Sequence, residues 1–582
     1  MKKTKGILCF FTVVLILVVS GDCAIAQNTT TTFESSGEFQ LINAPPTPLR
    51  QVAEFEPMQG VLIRYPFGIS YDIIAEMAED VEVVTIVADS SEQSYVESQY
   101  ISHGIDLSHC SFLIAPSDSY WTRDYGPWFI FTGDDEQCVV DFEYNRPRPN
   151  DNAIPSAYAS DQGLPLYEMP LTHTGGNYMT DGQGIAISTD LLETENPGLS
   201  HSEIEQIASD YLSIDTYHMV PDVNGKYIEH IDCWAKYLSP DVIMIREVPS
   251  DHSQYDEIEA AVDYFELQTS CYGTPYEIVR VYTPNNEPYT NSLILNDKVL
   301  VPIKNSEWDD EAIDAYENAM PGYEVLEFTG TWQSTDALHC RTKGIPDRYM
   351  LYIEHTPLSG PQTDDDGFDI QEKIMPYSGE NLIADSTLLY WKMEGGEWNS
   401  IQMQHAGDDN YIATIPSQEA GVTIYYYIHA EDYSGRNGNH PYIGAPGAHS
   451  FVVYDESNSP PEKTSTPSGK KFGRPGMEYI YKTDTVDPDD NQVFYIWDWG
   501  DGNFSEWMGA YNSGDICEAS YTLDKKGTYS IRVKAKDVFD EESDWSDPLK
   551  MRVPKSFPFI DFLEGSFPRL SFLLSILLRF QG

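Results

Sequence analysis

Positive charge is what this chain has least of. Lys and Arg number 35 against 93 Asp and Glu, a formal net charge of −58. A phosphate backbone is gripped by clustered Lys and Arg, so nucleic acid is excluded as a partner. Cysteine is scarce too, eight in 582 residues with no C-x-x-C pair. That count cannot staple a disulfide scaffold, and the spacing removes the usual structural zinc site. One or two disulfides stay open, with no pairing implied. No apolar run is both clean and long enough, about 18–20 residues, to span a bilayer. Aromatics are plentiful instead: 24 Phe, 11 Trp and 39 Tyr, with 41% hydrophobic residues overall. A disordered acidic chain is poor in such residues, so this one folds, and its length implies several domains. The acidity suits a soluble exported surface and equally a field that draws in cationic substrates.

At the start, Lys2, Lys3 and Lys5 precede the apolar run Ile7–Val19, and Ala24-Ile25-Ala26 follows. This is the pattern of a secretory leader over residues 1–26, with cleavage expected before Gln27 and a secreted or cell-surface location. At the end, residues 557–582 form an apolar tail that Glu564, Gly565 and Pro568 interrupt. An interfacial helix, a hairpin or a surface-retention tail all fit it.

From about residue 45 to 360, apolar strands alternate with amphipathic helices, which predicts an α/β domain with a sizeable core. Helices are expected at Ser70–Glu79 (with Ser70 as cap), near Ser202, at Tyr255–Leu267 and at Trp308–Met320; strands are expected at Val81–Val87 and Tyr323–Phe328. Residues 370–455 carry short alternating strands between Gly, Asn and Asp turns, the pattern of an Ig-like β-sandwich. A Ser/Pro/Lys-rich linker, 455–475, comes next. Within 476–553, Trp497-Asp498-Trp499-Gly500-Asp501-Gly502 and Gly527-Thr528-Tyr529 resemble a PKD-type β-sandwich. That resemblance implies an accessory or surface-association module.

Four stretches of the α/β domain hold polar groups unsuited to a packed core. Asp124 stands in Trp121-Thr122-Arg123-Asp124-Tyr125-Gly126-Pro127, where it also fits a turn. In Glu229-His230-Ile231-Asp232, a strand would point His230 and Asp232 to one face as an acid/base pair; a solvated surface pair fits as well. Asn291 enters an expected strand, and Cys340 sits between His339 and Arg341.

These motifs, in this order, resemble the agmatine deiminase/bacterial peptidylarginine deiminase family of guanidino-group-modifying enzymes. Thr174-Gly175-Gly176-Asn177 resembles the family's glycine-rich segment. The likeness spans about residues 45–360. It implies a five-bladed α/β propeller (pentein-type) followed here by two all-β sandwiches. It also implies roles: Cys340 as nucleophile, His230 as proton shuttle, Asp124 and Asp232 as the carboxylates gripping a guanidinium, and Asn291 as a supporting polar residue. The chemistry suits those residue types. A guanidinium is a poor electrophile that two carboxylates can hold with its carbon in front of sulfur. No metal or organic cofactor is needed for that reaction. A structural calcium ion is left open at the acidic loops Asp364–Asp369 and Asp487–Asp490.

Tyr144-Asn145-Arg146-Pro147-Arg148-Pro149 bears on the substrate. In bacterial peptidylarginine deiminases, arginines at matching positions receive the carboxylate of a C-terminal arginine, so Arg146 and Arg148, with Trp121 beside the site, imply peptides or proteins with a terminal arginine as partners. Agmatine or free arginine is the alternative substrate. A surface adhesin with an inactive propeller is a reading of another class, and an intact Asp124, His230, Asp232 and Cys340 set argues against it. A papain-like protease would leave the paired aspartates without a use.

Overall fold

A computed structural model of the chain describes residues 44–553, apart from 134, 226, 227, 365, 456 and 457. The expected leader 1–26 and apolar tail 557–582 lie outside the described residues.

Two of the expected helices form where apolar periodicity and capping coincide. Tyr71–Asp80 starts at Ser70, whose hydroxyl accepts from the Ile73 amide, and it buries Ile73, Ile74, Met77 and Ala78. His201–Leu212 begins with a reciprocal cap between Ser200 and Glu203. Tyr255–Phe265 and Asp309–Ala319 form on apolar periodicity without a side-chain cap, and strands Glu82–Val87 and Glu324–Thr329 also form as expected.

Five separate small sheets occupy the first 300 described residues, and no sheet closes on itself. Each contains the same unit: an antiparallel strand pair, a helix, and a third strand parallel to the second. The unit runs Trp128–Thr132, Gln137–Tyr144, helix Ile154–Gln162, Leu166–His173. It recurs as Met179–Thr180, Ile185–Thr189, helix His201–Leu212, Thr216–Val220. It recurs again as Ala235–Ser239, Val242–Glu247, helix Tyr255–Phe265, Glu277–Tyr282. The last in sequence is Leu293–Leu295, Lys298–Ile303, helix Asp309–Ala319, Glu324–Thr329. The remaining sheet borrows its leading strand from the far end of the region: Lys343–Pro346 pairs with Met58–Arg64, which runs parallel to Glu82–Val87.

Neighbouring units share apolar cores. Leu293, Leu295 and Leu300 pack with Val61, Ile63 and Ile73, while Phe129, Val139 and Ile154 pack with Leu62, Val84 and Ile345. The chain's late strands therefore close against its early ones.

Strand Leu351–His355 pairs with Phe368–Pro376, so the change of architecture falls before Leu351 and not at 360. Two sheets enclose a core that includes Phe368, Tyr426 and Phe451. A second pair of sheets encloses Trp497, Trp499 and Tyr495. The first sandwich is tied back to the α/β region by Arg436, which donates to both carboxylate oxygens of Asp347 at 2.8 and 3.0 Å. All six cysteines from Cys110 onward are unpaired, which settles the open disulfides. Among the described residues no group of three His, Cys, Asp or Glu is arranged to hold a metal. The acidic loops use their carboxylates to close turns: Asp364 accepts from Gly367 and Gln418, and Asp487 from Asp489 and Asn491.

Glu372 faces inward opposite His355, 4% exposed, and among the described residues neither carboxylate oxygen has a hydrogen-bond partner. Burial pushes its carboxyl up to about 9. The folded state then keeps a proton that the unfolded chain releases above about pH 4, so this group lowers stability progressively as pH rises from about 4 to 9. Glu372→Gln cannot titrate. Its melting-temperature advantage over wild type is expected to grow across that window; an advantage constant with pH in thermal unfolding would contradict the assignment.

Candidate active site

The repeated unit explains how residues far apart in sequence meet. Asp124, Gly176, Asp232, Asn291 and Cys340 each stand two to four residues ahead of a unit's leading strand. Each of the five units thus contributes one residue from an equivalent turn. Asp124 lies on the short helix Thr122–Tyr125, and Gly176, Asp232 and Cys340 lie on single 3-10 turns at Gly175–Asn177, Ile231–Cys233 and His339–Arg341.

One expectation is corrected here. His230 and Asp232 are not on a strand: the Cys233 amide donates to the His230 carbonyl at 3.2 Å and closes a turn. Asn177 fixes that turn, because its side-chain oxygen accepts from the Ile231 amide at 3.2 Å and from Thr189 at 2.9 Å. Both side chains still reach one point. A Cβ on Gly176 would stand 2.6 Å from His230 Nδ1, 2.7 Å from Asp124 Oδ1 and 3.3 Å from Asp232 Oδ2. Only glycine leaves those three groups together.

Cys340 Sγ lies 3.6 Å from Asp232 Oδ2. Asn291 holds it from two sides: its amide nitrogen donates to Cys340 Sγ at 3.3 Å, and its oxygen accepts from the Cys340 and Ala337 amides at 3.3 and 3.2 Å. His230 Nδ1 is 3.6 Å from Asp124 Oδ1. Neither His230 nitrogen nor Asp124 Oδ1 has a hydrogen-bond partner among the described residues, although Cys340, His230, Asp232 and Asn291 are all within 2% of full burial. Orphaned buried polar groups converging on one spot are what a polar ligand would satisfy.

Burial also separates the charges. Desolvation and the nearby Asp232 raise the Asp124 carboxyl to about 8. Although burial opposes its ionisation, Asp232 is held below the ordinary carboxylate range, chiefly by its hydrogen bond and charge contact with His339. Desolvation lowers His230 to about 4, so its ring is neutral at neutral pH. Burial, followed by Asp232 and Asp124, pushes the Cys340 thiol well up. The site therefore holds a thiol, a neutral imidazole, one anionic acid and one protonated acid. A planar cation with several N–H groups complements that set.

The candidate specificity residues stand beside it. Arg146, half-buried, acts electrostatically on Asp124, His230 and Glu195. The Arg148 guanidinium stacks on Trp121 at 4.4 Å and donates to the Tyr144 hydroxyl at 3.1 Å.

Sequence reasoning missed a second layer. His339 Nδ1 lies 2.7 Å from Asp232 Oδ2 and its Nε2 lies 2.6 Å from Glu54 Oε2. Glu54 in turn pairs with Arg123 at 2.7 Å and Lys236 at 2.6 Å. No local pattern announces Glu54. His339 and Arg123 adjoin Cys340 and Asp124, and that adjacency was the available signal.

A family model described as Porphyromonas-type peptidyl-arginine deiminase matches residues 50–346, just over half of the chain. The agmatine deiminase of Pseudomonas putida is 23% identical over 349 residues, covering 52% of this chain and 94% of that protein. A solved agmatine deiminase of Enterococcus faecalis is 19% identical with a TM-score of 0.46, covering 52% of this chain and 96% of that one. The PKD domain of an M14-like peptidase from a Thermoplasmatales archaeon is 41% identical over 17% of this chain, with a TM-score of 0.16.

Proposed function

The chain belongs to the Porphyromonas-type peptidyl-arginine deiminase family, and we propose that within it the protein is a secreted, cysteine-dependent hydrolase converting C-terminal peptidyl arginine to citrulline with release of ammonia. The observation that carries the chemistry is the convergence of Cys340, His230, Asp124 and Asp232 around Gly176. The five repeated units are read as blades of a five-bladed propeller, with the equivalent turns meeting at its axis. The leader pattern at residues 1–26 supports export.

In this reading Asp124 and Asp232 hold the guanidinium bidentately and set its carbon before Cys340 Sγ. One positive charge at about 4 Å in an effective dielectric near 20 contributes ~4 kcal/mol, about three pKa units. The substrate thereby offsets the carboxylates that disfavour a thiolate. Neutral His230 takes the thiol proton as sulfur attacks and delivers it to the departing nitrogen, which leaves as ammonia. His230 then deprotonates a water that attacks the S-linked amidine carbon; the thiolate is expelled and citrulline remains.

Because Asp124 must lose its proton to pair with the cation, kcat/KM is expected to rise about tenfold per pH unit below pH 8 and then level. Substrate binding at pH 7 should release close to one proton, readable by calorimetry in buffers of different ionisation enthalpy. A flat profile between pH 6 and 9 would contradict the protonated Asp124.

Arg146 and Arg148 are read as the receptors for a terminal carboxylate, which a guanidinium fork suits. A peptide ending in a free arginine is expected to be deiminated about 10- to 100-fold better than its amide, which leaves the half-buried guanidinium charges without their partner. Equal use of the amide would remove that role from the two arginines. The likeness to the Pseudomonas putida agmatine deiminase favours a second reading, agmatine as substrate, and preference for agmatine in the same ammonia assay would establish it.

A further inference from the structure

We infer that His339 is a positioning residue: clamped through both ring nitrogens between Glu54 and Asp232, it fixes Asp232 as the anionic member of the acid pair. The inference rests on the deiminase reading only where turnover is the readout.

Both ring nitrogens of His339 face carboxylate oxygens at hydrogen-bonding distance, 2.7 Å to Asp232 and 2.6 Å to Glu54. A neutral ring has one bare lone pair, which would oppose one of those oxygens, so a neutral ring requires the proton to sit on a carboxyl. Glu54 is a poor host for it. Its Oε1 accepts from Lys236 Nζ at 2.6 Å and from the Ile294 amide at 3.0 Å, and its Oε2 lies 2.7 Å from Arg123 Nη2. Those cations hold Glu54 well below the ordinary carboxylate range. With the proton off Glu54, an anionic Asp232 requires it on the ring, and the charges then alternate: Arg123 and Lys236, Glu54, His339, Asp232.

That series has a mechanical side. Arg123 Nε donates to the carbonyls of His339 and Thr342 at 3.4 and 3.1 Å, which flank Cys340 on its own turn. The Glu54 cluster thus anchors the nucleophile's backbone and the Asp232 carboxylate together. With His339 removed, Asp232 loses the ring that touches it and keeps the weaker influence of Arg123, while facing the second buried acid, Asp124. The two acids would then compete for a proton as a coupled pair.

Two arms test this. In the first, kcat/KM of wild type, His339→Gln and Glu54→Gln is measured against pH, with thermal unfolding confirming that each variant is folded. Wild type is expected to show one ionisation on its acid limb. His339→Gln should show a limb approaching a slope of two, with kcat/KM at pH 7 lower by about tenfold or more, one ionisation unit of about 1.4 kcal/mol, and Glu54→Gln should move in the same direction. A wild-type profile scaled down without change of shape in both variants would overturn the inference. In the second arm, nitrogen NMR of histidine-labelled protein at pH 8 is read for the ring signal lost in His339→Gln, or shifted in Glu54→Gln. An imidazolium pattern supports the inference and a neutral tautomer overturns it. This arm needs no turnover, so an inactive wild type would refute the deiminase reading and leave His339 to be judged by NMR.

Discussion

Replacing Cys340 by Ala is expected to lower kcat for deimination by at least about 10⁴-fold, to background, while the chain remains folded. Loss of a covalent nucleophile removes the only route to the S-linked intermediate, and such losses in other hydrolases are of this size or larger. The sulfur stands 3.6 Å from Asp232 and is held by Asn291 on both its thiol and its backbone amide. Removing one sulfur from a pocket built to receive a ligand opens space next to polar groups, so the cost to folding is small, on the order of 1 kcal/mol. Substrate binding should survive, because the two carboxylates remain. Asp232 also loses a neighbouring thiol, and tighter binding of arginine ligands to Cys340→Ala would be consistent with that. Retained turnover would remove Cys340 from the mechanism.

Gly176→Ala is expected to lower kcat/KM by about 10²- to 10³-fold. The added methyl carbon would stand 2.6 Å from His230 Nδ1 and 2.7 Å from Asp124 Oδ1, closer than real carbon contacts allow. Its backbone is not in the left-handed region, so the penalty is steric and local. The imidazole or the carboxylate must move by several tenths of an ångström, and displacements of that order misalign reacting atoms. Overpacking of this kind costs about 1–3 kcal/mol in stability as well. Kinetics and thermal unfolding measured together separate the two effects. A variant with wild-type kcat/KM would show that His230 and Asp124 do not meet at this glycine.

Much of the architecture is legible in the residue pattern for a physical reason. Ile73, Ile74 and Met77 at helical spacing behind Ser70 can bury only one face, and the helix Tyr71–Asp80 does so. The turn Pro321-Gly322 ends one helix ahead of strand Glu324–Thr329. The short leading strands are not legible. Met179–Thr180 and Leu293–Leu295 have two and three residues, too few to show alternation. Their recurrence five times is what aligns the site residues. His230-Ile231-Asp232 has strand-like alternation, yet one backbone hydrogen bond to Cys233 folds it into a turn. Local sequence cannot register that bond. Glu54 is the extreme case, since it meets His339 from 285 residues away and depends wholly on the closure of late strands against early ones.

The chemical claim is tested most directly by acid-quenching the enzyme during turnover of a peptide ending in arginine and mapping its cysteines by mass spectrometry. The S-linked amidine predicts an adduct on Cys340 alone, equal in mass to the substrate less ammonia. Citrulline formed at full rate with Cys340 unmodified, or an adduct on Cys233 in its place, would contradict it.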